Sequence, residues 1–310
     1  MRCTLIYNPS SGIARARREE QLRRVAEVLS ASGNKVELIF TTGPGSATLQ
    51  AREAAGNGAE VVFACGGDGT IHEVLQGLIP KTGEPVCALG IVPMGSANAL
   101  ARHLRLSLDP LKAAIQQLNG VMQTIPVGVL NRGDSALYFL VMVGAGPDGA
   151  LAHSVLQSSK SSLGRFAYYT RAARLFLFSR FRPFKVEYLP TGSSCVCAQL
   201  AVSVMAVRVG SLGGLFARLT DREASIHQPA LQLAIVRPPA VVSLPLWFIL
   251  GWLGLHRLNP FLLRASATGF SCHPSSESSP LVQADGEWIG HAPIEVSLLS
   301  AGLRIVIPKE

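Results

Sequence analysis

The chain has 310 residues, 48% hydrophobic and 15% charged, with 30 glycines. That is ample for a packed core and long enough for two domains, and it excludes a disordered chain. The formal charge of +8 favours an acidic partner such as a nucleotide, a nucleic acid or an anionic membrane surface.

The opening "MRCTLIYNPSSG" has neither a long apolar run nor a small-residue cleavage site, so no secretory signal is expected. "CTLIYN" (3–8) reads as a buried strand, and residues 14–32 as a helix with apolar positions amid Arg and Glu. "KVELIF" (35–40), "EVVFAC" (60–65) and "VCALGIV" (86–92) are strand-like. Residues 46–55, 70–79, 96–104 and 109–118 read as helices. This alternation predicts a doubly wound parallel sheet over residues 1–123.

Beyond that point the texture changes. "ALYFLVMV", "CVCAQLAVSVMAVRV", "ALQLAIV" and "IEVSLL" are strand-like with few helices between, which predicts a second, mostly β domain over 124–300. The closing "LRIVIPKE" (301–310 with its lead-in) reads as one more strand, returning to the first domain. The six cysteines, at 3, 65, 87, 195, 197 and 272, show no C-x-x-C pair, and several fall in apolar runs. Reduced core thiols in a cytoplasmic protein are expected.

Parallel strands joined by helices place their following loops along one side of the sheet, where ligands of such folds bind. Those loops are "NPSSG" (8–12), "TTGPGS" (41–46), "GGDGT" (66–70) and "PMGSAN" (93–98), all rich in glycine and hydroxyls. Each leads into a helix, whose N–H groups and positive dipole end suit a polyphosphate. Ordinary turn chemistry accounts for any one loop by itself. Asp68, between Gly67 and Gly69, either reaches phosphate-bound Mg²⁺ or an attacking hydroxyl, or is a plain helix N-cap with Glu73 a first-turn acid. The loops lack the Lys-Ser/Thr of a P-loop and a G-x-G-x-x-G after the first strand, so a Walker-type ATPase is excluded.

Two further stretches bear on lipid. Pro238–Leu255 carries no charge, but Pro239, Ser243 and Pro245 interrupt it, so a buried or interfacial helix is expected rather than a membrane span. Between Asp148 and Glu187 there is no acid, yet Lys160, Arg165, Arg171, Arg174, Arg180, Arg182 and Lys185 alternate with aromatics. That pattern suits an anionic bilayer or a single nucleic-acid strand, and equally a helix with a core-facing stripe and a solvated basic face.

"GGDGTIHEVLQGL" and "PMGSANALARHL", with "NPSSG", "GAGPDGAL" before "LGRFAYY", and "QADGEWI", resemble the diacylglycerol kinase catalytic family, which includes sphingosine and ceramide kinases. The resemblance covers most of the chain and rests on the order and spacing of all five motifs. It implies ATP- and Mg²⁺-dependent phosphoryl transfer to the hydroxyl of a lipid alcohol, a diacylglycerol or a sphingoid or ceramide-type lipid. It implies a nucleotide-binding α/β domain and a mostly antiparallel β-sandwich domain, with the active site in the cleft between them. Asn8, Thr41, Gly66, Gly67, Gly69, Thr70, Glu73, Gly95 and Ser96 would bind nucleotide. Asp68 would sit at the phosphates with Mg²⁺ or act as the base; Glu287, with Asp285 beside it, would be the proton acceptor. Asp148 and Arg165 would meet the acceptor lipid.

The chain departs from the family pattern at Asn98-Ala99, where many bacterial members have Asn-Asp, and at His72, read as a polar helix residue. Gln228-Pro229 replaces an Asp-Gly that helps hold a structural Mg²⁺, so that ion is not expected. The form "GSANALA" tilts the acceptor toward the sphingosine and ceramide branch. Peripheral membrane contact and no nucleic-acid partner are expected, with the oligomeric state open, a homodimer included. The rival readings are an NAD or soluble-alcohol kinase on this scaffold and a weakly catalytic nucleotide- or lipid-binding protein.

Overall fold

The computed structural model describes residues 1–9, 15–80, 83–157, 164–210, 224–275 and 279–309. In chain order the first elements are β1 (Arg2–Tyr7), α1 (Arg15–Ala31), β2 (Lys35–Phe40), α2 (Ser46–Gly56), β3 (Val61–Gly66), α3 (Asp68–Leu78) and β4 (Ala88–Pro93). Then come α4 (Ala99–His103), α5 (Pro110–Leu118), β5 (Val121–Arg132), β6 (Ser135–Phe139), β7 (Met142–Ala145), α6 (Pro147–Gln157) and α7 (Gly164–Phe178). The remainder is β8 (Phe184–Pro190), β9 (Cys197–Ala201), β10 (Ser203–Val207), β11 (Leu231–Val236) and α8 (Ala240–Trp252). A 3₁₀ turn (His256–Leu258), β12 (Leu262–His273), β13 (Leu281–Ala284), β14 (Glu287–His291) and β15 (Ile294–Ile307) close the chain.

Contacts divide the chain into two compact units, one of Met1–Val127 with Leu299–Glu310 and one of Gly128–Leu298. β5 and β15 each run from one unit into the other.

In the first unit the parallel strands lie in the order β2-β1-β3-β4, followed by the end of β15 beside β4. The order reverses between β1 and β3, because the chain moves outward from β1 to β2 and then returns to the other side. Every residue of β3 and β4 is buried, as expected of strands covered by helices on both faces. Helix α1 is highly charged but keeps one apolar stripe. Leu22, Val25 and Leu29 form it, and they join Leu5, Phe63 and Val92 in the core.

β15 pairs with β4 at Ala88 and Leu89 only. Farther along, at Ile91, a side chain takes over the work of a strand: Gln117 of α5 accepts from the Ile91 N–H (2.8 Å) and donates to its carbonyl (2.6 Å). The buried backbone there is therefore paired.

The second unit is antiparallel throughout its ladders β14-β13-β7-β10-β11-β12, with β8 and β9 branching from β12 and β6 pairing with β5. β10 and β11 bury both faces. Val204, Ala206, Leu233 and Ile235 point into one apolar cluster. Met205, Val207, Ala234 and Val236 point into another, built with Phe176 of α7 and Leu244 and Trp247 of α8. Double coverage explains why "VSVMAV" reads as an unbroken apolar run rather than an alternating one.

The expected α/β class with a parallel sheet followed by mostly antiparallel strands is the one found. Pro238–Leu255 supplies α8, which continues through Pro245. Trp247 is fully buried, edge-on to the Phe176 ring at 5.7 Å, whereas Trp252 is exposed. Among the described residues no helix is long and apolar enough to cross a membrane.

Candidate active site

Tyr7 stands opposite Phe40 and Cys65, and Cys65 opposite Val92, so the four parallel strands of the first unit end in one row. The loops that follow them share one side of the sheet. The order of strands reverses between β1 and β3, and ligands of such sheets usually bind beside that switch point. Asn8 follows β1 and the Gly66–Thr70 turn follows β3; Ser10 to Gly12 of the first loop lie outside the described residues.

At the β3–α3 turn the first helical bond runs from the Ile71 N–H to the Gly67 carbonyl (3.1 Å). Gly67 is the N-cap and has no side chain to bond the first-turn N–H groups of α3. A carboxylate at the first helical position also meets the positive end of the helix dipole.

The glycines answer to one another. A Cβ on Gly67 would lie 3.2 Å from the Gly95 Cα, and a Cβ on Gly95 would overlap the Gly67 Cα. A Cβ on Gly66 would overlap the Thr70 hydroxyl. Two loops distant in sequence thus pack backbone against backbone, and this packing alone requires glycine at 95 and leaves a side chain at 67 in a tight contact.

Asp68 ties the same two loops. Its Oδ1 accepts from the Ala99 N–H at 2.8 Å, so it caps α4 from the other loop. Asn98, at φ 49°, bonds Gly95 twice, accepting from its N–H (3.0 Å) and donating to its carbonyl (2.9 Å). Arg18 of α1 donates to the Met94 carbonyl in the same loop. Arg18 lies outside every quoted motif, and Asn98, although within "PMGSAN", was not among the site candidates, because bonds to main-chain atoms leave no spacing to read.

Glu73 performs the equivalent task for α2, whose N-cap Gly45 also has no side chain. Its Oε2 accepts from the Ala47 N–H (3.2 Å), and its own carbonyl accepts from the Thr48 hydroxyl (2.8 Å). Thr41, half-buried, donates its N–H to the Tyr7 carbonyl (2.9 Å), and Ser96 is exposed at the tip of its loop. The structure therefore joins Gly66, Gly67, Asp68, Thr70 and Gly95 around one pair of loops and sets Glu73 one helix away.

The second unit gathers the other carboxylates around the β13–β14 hairpin. Asp285 and Gly286, at φ 50° and 90°, form its two-residue turn between the paired Ala284 and Glu287. The Asp285 carboxylate accepts three successive backbone N–H groups: Leu140 on Oδ2 (3.0 Å), Val141 and Met142 on Oδ1 (2.8 and 3.0 Å). Expected among the catalytic groups, Asp285 has both oxygens engaged in holding the segment between β6 and β7. Glu287, just beyond the turn, is exposed.

Asp148 lies in the first turn of α6 and is buried. Burial raises its carboxyl from 3.8 to about 6, partly offset by the Gln283 amide and the N–H groups of Asp148 and Gly149. Gln283 Nε2 donates to Oδ2 (3.2 Å), while Oδ1 has no hydrogen-bond partner. Gln283 also accepts from the Gly286 N–H (2.8 Å), so one side chain couples Asp148 to the Asp285-Gly286-Glu287 turn. The His153 ring of α6 meets Trp288 of β14 at 4.8 Å, a second contact between the same pieces.

Arg208, just after β10, is fully buried; burial lowers its guanidinium to about 10, and the charge of Asp285 opposes that shift. It donates to the Ile226 carbonyl (2.8 Å). Gln283 opens the motif "QADGEWI" but was not among the site candidates, and Arg208 lies in no motif. Arg165 falls in the first turn of α7, and its side chain lies outside the described residues.

Among the described residues no three His, Cys, Asp or Glu side chains form a group that could hold a metal. A Mg²⁺ bound through substrate phosphates needs only one or two protein carboxylates. Asp68, in the glycine turn at the start of α3, fits that requirement.

A family model described as the diacylglycerol kinase catalytic domain matches residues 2–130. A diacylglycerol kinase of Bacillus subtilis is 30% identical over 310 residues, covering 100% of this chain and 97% of the relative. One of Staphylococcus saprophyticus is 27% identical over 309 residues, covering 100% of this chain and 96% of its own. The crystal structure of a diacylglycerol kinase from Bacillus anthracis superposes with a TM-score of 0.74 at 23% identity, covering 99% of this chain and 96% of that one, a likeness of fold.

Proposed function

Because the chain belongs to the diacylglycerol kinase family and is a lipid kinase, we propose that it transfers the γ-phosphoryl group of ATP to the hydroxyl of a lipid alcohol. A diacylglycerol or a sphingoid or ceramide-type lipid is the proposed acceptor. The observation that carries the reading is the Asp68 tie: one carboxylate joins two glycine loops on the ligand side of the first unit's sheet.

Phosphoryl transfer asks a protein for positioning and charge stabilisation more than for covalent chemistry. The N–H groups at the start of α3 and the hydroxyls of Thr70 and Ser96 are proposed to hold the phosphates, with Asn8 and Thr41 at the neighbouring strand ends. Bound Mg²⁺ would neutralise charge on the phosphates, and Asp68 is the residue proposed to hold it. Glu73 keeps α2 in place beside α3, so its contribution to nucleotide binding is proposed to run through that helix.

On the acceptor's side, the exposed Glu287 is proposed to take the hydroxyl proton. Asp285 is proposed to position the turn that presents it, since its own oxygens are committed to three N–H groups. Asp148, with one unpartnered oxygen, is proposed to accept a hydrogen bond from the lipid head group. Arg165 is proposed to lie at the same head group. A cytoplasmic protein in peripheral contact with a membrane completes the reading, since the acceptor resides in a bilayer.

The test is transfer from γ-labelled ATP to a panel of lipid alcohols in mixed micelles, with Asp68→Asn alongside. A labelled lipid that disappears in the variant is the expected result and names the acceptor. Labelling of NAD or a soluble alcohol instead, or ATP binding with no labelled product, would overturn the reading.

A further inference from the structure

The charge of this chain is unevenly placed. Residues 149–186 and 224–276 contain ten Lys and Arg (160, 165, 171, 174, 180, 182, 185, 237, 257 and 264) and no Asp or Glu. The whole chain has 28 bases and 20 acids, so the rest carries 18 and 20, a net of −2 against +10 for these two segments. The segments are those that supply α7 and α8, which pack on each other.

α8 is apolar on both sides. Ala240, Ser243, Leu244, Trp247 and Gly251 face the core, at helical spacing. The other side shows Val241, Val242, Ile249 and Trp252 to solvent, and the chain beyond continues with exposed Leu253, Leu255 and Leu258. Trp252 is 62% exposed, Leu258 68%, and Phe178 at the end of α7 79%. A surface helix of a water-soluble domain ordinarily turns a charged face outward. Exposed Arg257 sits within this patch, and exposed Arg174, Arg180 and Arg182 lie on α7 and just after it.

We infer that the outer side of α8 and the turn after it, Trp252 to Leu258, is a docking surface for an anionic lipid bilayer. This rests on the lipid-kinase reading only in that such an enzyme must reach a substrate held in a membrane. Apolar side chains enter the acyl boundary while Arg257 and the exposed arginines of the neighbouring α7 segment meet anionic head groups, the arrangement of an interfacial helix. The helix, at 13 residues, lies along the surface and does not cross it. Of the two tryptophans in α8, only Trp252 is available to insert, because Trp247 is core.

Full-length protein is sedimented with phosphatidylcholine vesicles, with and without phosphatidylglycerol. Binding is expected only with the anionic lipid. Arg174→Gln, Arg180→Gln and Arg257→Gln together should weaken it about a hundredfold. Trp252→Ser with Leu258→Ser should weaken it about tenfold or more, with an unchanged circular dichroism spectrum because both sites are exposed. Trp252→Phe keeps the apolar bulk, so it should bind like the parent yet lose most of the quenching by brominated lipid. The three assays read separate things: bulk, charge and depth.

Parent protein that ignores anionic vesicles, or variants that bind as the parent does, would overturn the inference. So would quenching that survives Trp252→Phe, or a concentration-dependent dimer that Trp252→Ser and Leu258→Ser dissociate, which would make a second copy the occupant. Phosphorylation of a detergent-dispersed lipid alcohol is measured in parallel and should persist in every variant. Its absence in the parent sinks the lipid-kinase reading, whereas its presence without vesicle binding sinks only the docking surface.

Discussion

On the proposed reading Asp68 ties two loops and orders phosphates, and two substitutions divide these jobs. Its Oδ1 accepts a 2.8 Å bond from the Ala99 N–H, and Ala99 is buried. A hydrogen bond to a charged acceptor contributes about 1.5–3 kcal/mol net, and an orphaned buried N–H costs about the same. Asp68→Ala removes the acceptor, so it should lower stability by about 2 kcal/mol, or about 6 °C in the melting of the first unit. Asp68→Asn keeps an oxygen at the same place and loses only the charge, so it should cost about 1 kcal/mol or less. Both should reduce phosphoryl transfer by at least about a hundredfold, because the charge proposed to order the phosphates is gone in each. The assays are thermal melting without nucleotide and transfer from labelled ATP, run on the three proteins side by side. Asp68→Asn with near-parental turnover would refute the charge role; Asp68→Asn as unstable as Asp68→Ala would refute the loop tie.

Gly95→Ala should cost at least about tenfold in nucleotide affinity by calorimetry, since its methyl would overlap the Gly67 Cα and force the loops apart; unchanged affinity would refute the back-to-back packing. Asp148, raised from 3.8 to about 6 in the fold, contributes stability that is present below pH 4 and lost as pH rises through 6. Asp148→Asn should therefore be the more stable protein above pH 6, by up to about 3 kcal/mol, with the gap closing toward pH 4 in urea titrations; a gap independent of pH would count against a buried carboxylate. Gln117→Leu leaves the Ile91 N–H and carbonyl unpaired in the core and should cost about 3 kcal/mol, against less than about 1 if the strand end is hydrated instead.

The alternating half of the fold was legible because each of its elements has one period and ends in turn residues. "EVVFAC" and "KVELIF" became β3 and β2 within a residue of the expected bounds. Other strands hide. β12, "LLRASATGFSCH", mixes small and polar residues and carries an irregularity between Ala267 and Gly269, so no run or alternation stands out. "ALYFLVMV" reads as one strand but is two, β6 and β7, parted at Leu140 and Val141 where their N–H groups turn to Asp285.

At the candidate site, residue types were visible and their partners were not. Asp68 meets Ala99 across 31 residues, Glu73 meets Ala47 across 26, and Gln283 meets Asp148 across 135. No local spacing encodes such bonds. The glycines around Asp68 suggested close approach by a ligand, and the structure adds a nearer cause in the other loop. Trp247 and Trp252 share the apolar stretch read as a buried or interfacial helix, and only helical phase separates the buried one from the exposed one.

Gly128–Leu298 is spliced into the first unit, whose final strand segment is Leu299–Glu310. Arg304 pairs with Ala88, and the whole inserted unit lies between them in sequence. The first unit therefore cannot complete its sheet until residues 128–298 have been synthesised, and the second unit has its strands first. Until then β4 waits with one flank partly open, and the Gln117 amide already occupies part of that flank at Ile91. A side chain standing where a neighbouring strand would bond leaves less bare backbone for another nascent chain to pair with. Gln117 is thus a placeholder during synthesis as well as a fixture of the finished fold.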